Sequence, residues 1–414
     1  MLKNTRKKIG AFLASIAPGL FLIGYNIGTG SITTAASTGA KYGMTLIWPL
    51  LISCIFTFFL IIAFGRYTIV TGDTALHSFK EHFGKGWAGF VLVSVLISEW
   101  VSCMGVMGVV TEVVKEWSKP ITPSGNGINM IISAIIFIAL LYILFWNGKH
   151  NVFEKILTVF VSIMGVSFIL TMFLVIPDPS EVLQGLIPSL PEESNAALLS
   201  ASMVGTTMGG ILYVVRSILV QEKGWTIKDM KHEKRDAFIS SLMMFILSGA
   251  VMACAAGTLH IRGLEVNSAI DMVRLLEPLA GRFAISVFVA GIVSAGLSSL
   301  FPIILLGPWL FCDYYNKERN MRAPWVRILV FCTALLGLVV PIFGGRPVLV
   351  MIISQALIAT TTPLIVLFMM ILQNKEELMG EYKATPKFNI IMGVIFLFTV
   401  YMAISGLVGI RGLL

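Results

Sequence analysis

Long apolar runs separated by short polar breaks recur from one end of the chain to the other. Each run approaches the roughly 20 residues that a helix needs to cross the hydrocarbon core of a bilayer. Read between breaks, the pattern predicts helices near residues 11–39, 44–70, 87–114, 128–146, 153–176, 196–220, 237–259, 283–311, 325–343, 348–372 and 388–408. The expected architecture is all-α and integral to the membrane, one domain over residues 1–414, with 11 transmembrane helices and termini on opposite sides. Lys3 to Leu13 has the charge and start of a signal peptide, but the apolar run continues past Pro18 with no small-residue cleavage site. It is therefore read as part of the first helix.

Composition adds weight to this picture. Hydrophobic residues make up 57% of the chain, charged residues 13%, and the mean hydropathy is +0.88, whereas soluble domains carry about 25% charged residues. The formal charge of +8 does not point to nucleic acid, because the basic residues sit in short loops and crowd onto one side. Lys3, Arg6, Lys7 and Lys8, the stretch from Lys223 to Arg235, and the stretch from Lys317 to Arg327 fall on the side of the N-terminus. The other side holds Lys41, Lys115, Lys119, Arg262, Arg274, Arg282, Arg346 and Arg411, and its acidic segment from Pro177 to Asn195 has no Lys or Arg. The positive-inside rule then places the N-terminus in the cytoplasm and the C-terminus outside a cell membrane. Cys54, Cys103, Cys254, Cys312 and Cys332 lack metal-ligand spacing and read as small core residues. Lys41, His77 and His260 fall near helix ends, again without ligand spacing. No phosphate loop, catalytic triad or zinc motif is present, so the sequence predicts neither an enzyme nor a resident cofactor.

Two predicted helices carry glycine clusters at mid-span: Gly24, Gly28 and Gly30 around Tyr25, Asn26, Thr29 and Ser31 in the first, and Gly205, Gly209 and Gly210 around Thr206, Thr207 and Met208 in the sixth. Interrupted segments at matching places in two halves are the sequence mark of an inverted-repeat transporter with a midplane site. Broken backbone survives at that depth only when it lines a cavity or is buried in protein.

With these residues in place, the chain resembles the NRAMP family of proton-coupled divalent-metal transporters over nearly its full length. The resemblance rests on the order and spacing of many short stretches. They include Gly39-Ala40-Lys41-Tyr42-Gly43, Leu46-Ile47-Trp48, Ile69-Val70-Thr71-Gly72, Phe153-Glu154-Lys155, Leu219-Val220-Gln221, Leu275-Leu276-Glu277-Pro278-Leu279, Ser298-Ser299, Pro324-Trp325-Val326-Arg327, Ser354-Gln355 and Leu378-Met379-Gly380-Glu381. It implies a LeuT-like fold, with inverted repeats of five helices at roughly 11–176 and 196–372, broken helices one and six, and an appended helix at 388–408. The implied partners are a small ion and the lipid bilayer, and the chain is expected to be monomeric.

The family's ligand motifs are not kept. Where the resemblance expects Asp-Pro-Gly-Asn, the first helix reads Gly28-Thr29-Gly30-Ser31; where it expects Met-Pro-His-Asn, the sixth reads Gly209-Gly210-Ile211-Leu212. Carboxylate and thioether are both missing from these motifs, which speaks against a transition-metal site. The second histidine of the sixth helix is Arg216 here, and a carboxylate linked to the family's proton route falls at Glu99, with Ser102 following. Hydroxyls, close-approach glycines and half-helix N-termini suit a small anion such as bicarbonate or a simple carboxylate, coupled to Na⁺ or H⁺. The substrate-binding candidates are Gly28, Thr29, Gly30, Ser31, Thr206, Thr207, Gly209, Gly210, Arg216 and Gln355, with Glu99 as the coupling residue and no metal ligands; Tyr25 and Asn26 are further pocket candidates. Arg216 has three readings: substrate contact, a structural ion pair for which Glu99 is the named partner, or snorkelling toward the cytoplasm. Two other functions compete with the anion reading: a divalent metal such as Mg²⁺ or Mn²⁺ held through carbonyls and water, and a membrane sensor that does not transport.

Overall fold

The computed structural model describes residues 28–147, 150–175 and 177–412. Its helices, in chain order, are α1 (Thr29–Tyr42), α2 (Ile47–Thr71), α3 (Ala75–Phe83), α4 (Lys85–Ser118), α5 (Met130–Asn147), α6 (His150–Val175), α7 (Pro179–Gly185), α8 (Ser194–Met208) and α9 (Gly210–Glu222). They continue with α10 (Met230–Thr258), α11 (Glu277–Tyr314), α12 (Pro324–Leu335), α13 (Val339–Phe343), α14 (Pro347–Leu372), α15 (Glu376–Met379) and α16 (Pro386–Arg411). Helices are what a lipid-embedded chain must form, since each satisfies its own backbone groups where no water can. Pro302 and Pro308 in α11 and Pro363 in α14 interrupt that ladder without ending the helix, as packed membrane helices allow.

Among the described residues, nine spans are long and apolar enough to cross a membrane, or ten when the pair Val161–Val175 and Pro179–Gly185, bent by 116°, counts as one. The remaining predicted helix is the first. Its second half is α1, and its first half, with Tyr25 and Asn26, lies outside the described residues. Faces such as Ile390, Val394, Leu397 and Ile404 on α16 and Ile132, Ile136 and Ile143 on α5 are exposed. Against water they would be an apolar patch, whereas in a bilayer they meet lipid.

Of the two predicted interruptions, the second is seen as a break, and the first falls at the edge of the described residues. Gly28 is extended, at φ −89° and ψ −168°, and α1 starts at the next residue. In the sixth span the discontinuity is Gly209 alone, at φ −62° and ψ 132°, between α8 and α9. The sequence placed this break over 206–210, but Thr206 and Thr207 remain helical.

The two interrupted elements occupy the centre. α1 packs on α10, α8, α14, α11 and α4, and α8 packs on α14, α16, α2 and α1. Small residues allow the approach. A Cβ on Gly205 would lie 1.8 Å from the Gln355 carbonyl oxygen, and one on Gly39 would lie 2.3 Å from that of Met252.

Because the atom facing Gly205 is backbone, nothing nearby can swing aside. Gly205→Ala is expected to destabilise the protein by about 1–3 kcal/mol, seen as a lowered Tm in detergent. Gly249→Ala, with nothing within 4 Å of the new Cβ, is expected to leave stability unchanged or raise it by about 0.5–1 kcal/mol.

Candidate ion-binding site

A small cavity lies where the two interruptions meet. It is lined by Gly30 and Ser31 of α1, Glu99, Ser102 and Val106 of α4, Gly205 and Thr206 of α8, Gly209 at the break and Ile211 of α9. Ser299 and Ile303 of α11 and Met351, Gln355 and Ile358 of α14 complete it. The Ser31 and Thr206 hydroxyls meet at 2.6 Å, tying the start of α1 to the end of α8. From α14, the Gln355 amide and the Met351 thioether reach toward α1: a Cβ on Gly30 would lie 2.8 Å from Gln355 Nε2 and 3.0 Å from Met351 Cε. The cavity volume is about 30 Å³, against the roughly 10–15 Å³ that one water requires. In this conformation it suits a small ion with a water or two, not an amino acid or a nucleobase.

The helix ends around it differ in sign. The first turn of α1 brings the partial positive charge of a helix N-terminus, and the last turn of α8 brings the partial negative charge of a C-terminus. With the two dipoles opposed, side chains decide the balance. Among the described residues, Glu99, 1% exposed, is the ionisable side chain in the lining, and no Lys, Arg or His joins it.

Of the residues the sequence singled out, the structure brings Gly30, Ser31, Glu99, Thr206, Gly209 and Gln355 together. Five others stand apart from the lining. Gly28 precedes α1, and its carbonyl accepts from the Ile32 N–H at 3.3 Å. Thr29 is buried against α11, where a Cβ on Gly296 would come within 3.2 Å of its hydroxyl. Thr207 points at α2, its hydroxyl 2.6 Å from Ser53 Oγ, while its carbonyl accepts from Thr57 at 2.9 Å. The Gly210 N–H is taken by Thr362 Oγ1 at 2.9 Å.

Arg216 is the largest departure. It lies about 10 Å along α9 from the break, at 1.5 Å per residue, and its partners are two carboxylates of α10. Nη2 meets Glu233 Oε2 at 2.5 Å and Nη1 meets Asp236 Oδ2 at 2.6 Å. The guanidinium also packs 5.5 Å from the Trp225 ring. Arg216 thus forms a structural ion pair, with Glu233 and Asp236 in place of Glu99, and lies outside the cavity lining. Burial explains the arrangement, since Arg216 and Glu233 are 0% exposed and Asp236 1%, and a charge in such a place must be paired. The sequence reading began the seventh helix at residue 237, leaving both acids in a loop. α10 instead starts at Met230, which puts Glu233 and Asp236 three residues apart on one face. Two acids set among Lys231, Lys234 and Arg235 were the available signal.

The other lining residues, Ser102, Val106, Gly205, Ile211, Ser299, Ile303, Met351 and Ile358, are not among the site candidates of the sequence. Ser102, Gly205, Ile211 and Ser299 lie in stretches already quoted from the sequence. Met351 had no motif around it, because its position depends on how α14 packs against α1 and α4. Its sulfur is a soft donor in a helix where none was expected. Among the described residues, no three or more His, Cys, Asp or Glu side chains gather as a metal cluster would.

A broken sixth span and a second central helix, packed around a buried cavity within an all-helical bundle, are the architecture of the LeuT fold. The chain belongs to the family described as natural resistance-associated macrophage protein-like, whose model matches residues 19–409. It is similar to the divalent metal cation transporter MntH of Caldanaerobacter subterraneus subsp. tengcongensis, 24% identical over 410 residues, covering 95% of this chain and 90% of the relative. Among solved structures it is similar to the manganese transporter of Eremococcus coleocola, at TM-score 0.73 and 14% identity, with 96% of this chain and 86% of that one covered. It is also similar to MhsT solved with L-phenylalanine, at TM-score 0.61 and 13% identity, with 97% of each chain covered. The family is one of transporters, not enzymes.

The pairing of Arg216 leads to a stability prediction. Arg216→Gln leaves two buried carboxylates without their cation and is expected to cost about 3–5 kcal/mol, lowering Tm and yield. Adding Glu99→Gln is expected to recover none of this. Replacing the whole group, with Arg216→Gln, Glu233→Gln and Asp236→Asn, is expected to recover much of it.

Proposed function

We propose that this protein is a secondary transporter of a small divalent cation, with Glu99 as the formal charge that holds the ion. The observation carrying this reading is that a carboxylate, Glu99, lines the central cavity beside hydroxyl, amide and thioether side chains. The Ser31 and Thr206 hydroxyls, the Gln355 amide oxygen and the end of α8 add neutral oxygen donors, and Met351 adds a soft one. One carboxylate with neutral oxygens and retained water is a donor set that Mg²⁺ uses, and a thioether extends it toward transition metals. The relatives named as divalent metal cation transporters lend support. A proton and a cation compete for the same Glu99 carboxylate, so coupling to H⁺ follows from the chemistry of the site.

An anion such as bicarbonate remains a second reading, supported by the α1 N-terminus at the cavity and by Lys41 and Arg346 in a vestibule at one end of the bundle. With the basic loops placed in the cytoplasm, that vestibule opens to the outside.

Flux into proteoliposomes, measured with Mg²⁺, Mn²⁺, Na⁺ and bicarbonate, separates the two. The expected result is saturable divalent-cation uptake that Glu99→Gln reduces by at least tenfold, a loss of about 1.4 kcal/mol or more. Gly30→Ala is expected to block uptake with little loss of Tm, because the new methyl meets the movable ends of Gln355 and Met351. Bicarbonate flux without cation flux, or full cation uptake by Glu99→Gln, overturns the proposal.

A further inference from the structure

A second cavity, of about 220 Å³, lies at the end of the bundle remote from Arg216. It sits between the last turns of α1 and the first turns of α8 and α14, with Glu265, Val266 and Asn267 from the segment after α10. Its charged lining is Lys41, Arg346 and Glu265. Lys41 and Glu265 approach to 3.4 Å in a partly exposed pair, which offsets those two charges weakly and leaves Arg346 in excess.

Three further observations point the same way. Both α8 and α14 are long helices whose N-terminal turns line the cavity, through Asn195 and through Val348 and Leu349. Their free backbone N–H groups and partial positive charge favour an anion. The nearby acid at the start of α8, Glu193, is occupied by the Tyr42 hydroxyl at 2.8 Å. Ser37, 7% exposed and in the cavity lining, has a buried hydroxyl with no hydrogen-bond partner among the described residues. A buried polar group left in that state calls for a ligand or water.

The rest of the wall is apolar, including Leu199, Leu349 and Ile352. A dry cavity of roughly 150 Å³ admits a benzene ring, so 220 Å³ has room for an apolar body beside a charged head. We propose that this vestibule binds a small carboxylate with an apolar body. Its carboxylate faces Arg346 and Lys41 with the two helix N-termini, and Ser37 donates to it. The proposal concerns the vestibule and holds for either sign of the transported ion. A seated anion also lowers the positive potential that a cation bound for the Glu99 cavity would otherwise cross.

The test is calorimetry of the purified full-length protein with benzoate as the probe and benzamide, its neutral analogue, as the control. Saturable benzoate binding without benzamide binding is expected. Arg346→Gln is expected to weaken it at least tenfold, and Glu265→Gln to strengthen it by freeing Lys41 and removing a like charge, a gain that no loss of folding could mimic. Gly30→Ala, which fills the central cavity, is expected to leave benzoate affinity unchanged. Absence of saturable binding, equal binding of benzamide, or indifference to Arg346→Gln overturns the proposal. Loss of binding in a Gly30→Ala protein of normal Tm also overturns it, by placing the anion in the central cavity.

Discussion

The contact between the Ser31 and Thr206 hydroxyls, 2.6 Å apart, joins the start of α1 to the end of α8, beside the break at Gly209. Everything around the site follows from the cost of interrupting a helix in a medium without water. Backbone groups released there must find protein partners or face a cavity. The Gly210 N–H turns to Thr362, the Thr207 carbonyl to Thr57, and what remains of both broken ends opens onto the space that Glu99, Gln355 and Met351 close. The glycines are part of the same constraint. Gly205 lets α8 lie against the backbone of α14, which brings Gln355 within reach of α1.

The membrane-embedded charges serve two purposes. Arg216, Glu233 and Asp236 form a closed group in which a guanidinium faces two carboxylates, fixing α9 to the start of α10. Gly65 of α2 makes room for it, since a Cβ there would lie 1.9 Å from Glu233 Oε1. Such a group contributes rigidity and holds the guanidinium away from the central cavity. Glu99 lies instead on the wall of the central cavity, so that a carboxyl group is present in the lining, on α4 and not on α1.

Several features were legible in the chain alone because they are dictated by solvent. Apolar runs of membrane-spanning length, broken by polar loops, set the class of fold, and the second glycine cluster located the break at Gly209 to within a few residues. Ser31, Thr206, Gly209 and Gln355 could be named as site residues because they flank the predicted interruptions or fall at a matching position of the family. These are local properties, carried by periodicity and by residues that cannot continue a helix cheaply.

What the tertiary structure decided was direction and partnership. Thr206 and Thr207 are neighbours of equal chemistry, yet one side chain faces the cavity and the other faces α2, because successive helical residues point about 100° apart. Arg216 lay in an apolar run with no partner in view, and only the backward extension of α10 to Met230 brings Glu233 and Asp236 beneath it. Met351 entered the site through the packing of α14 on α1 and α4. Periodicity along one chain determines which residues can be buried; which buried groups meet depends on the rotation and register of helices far apart in sequence, and that is set by packing alone.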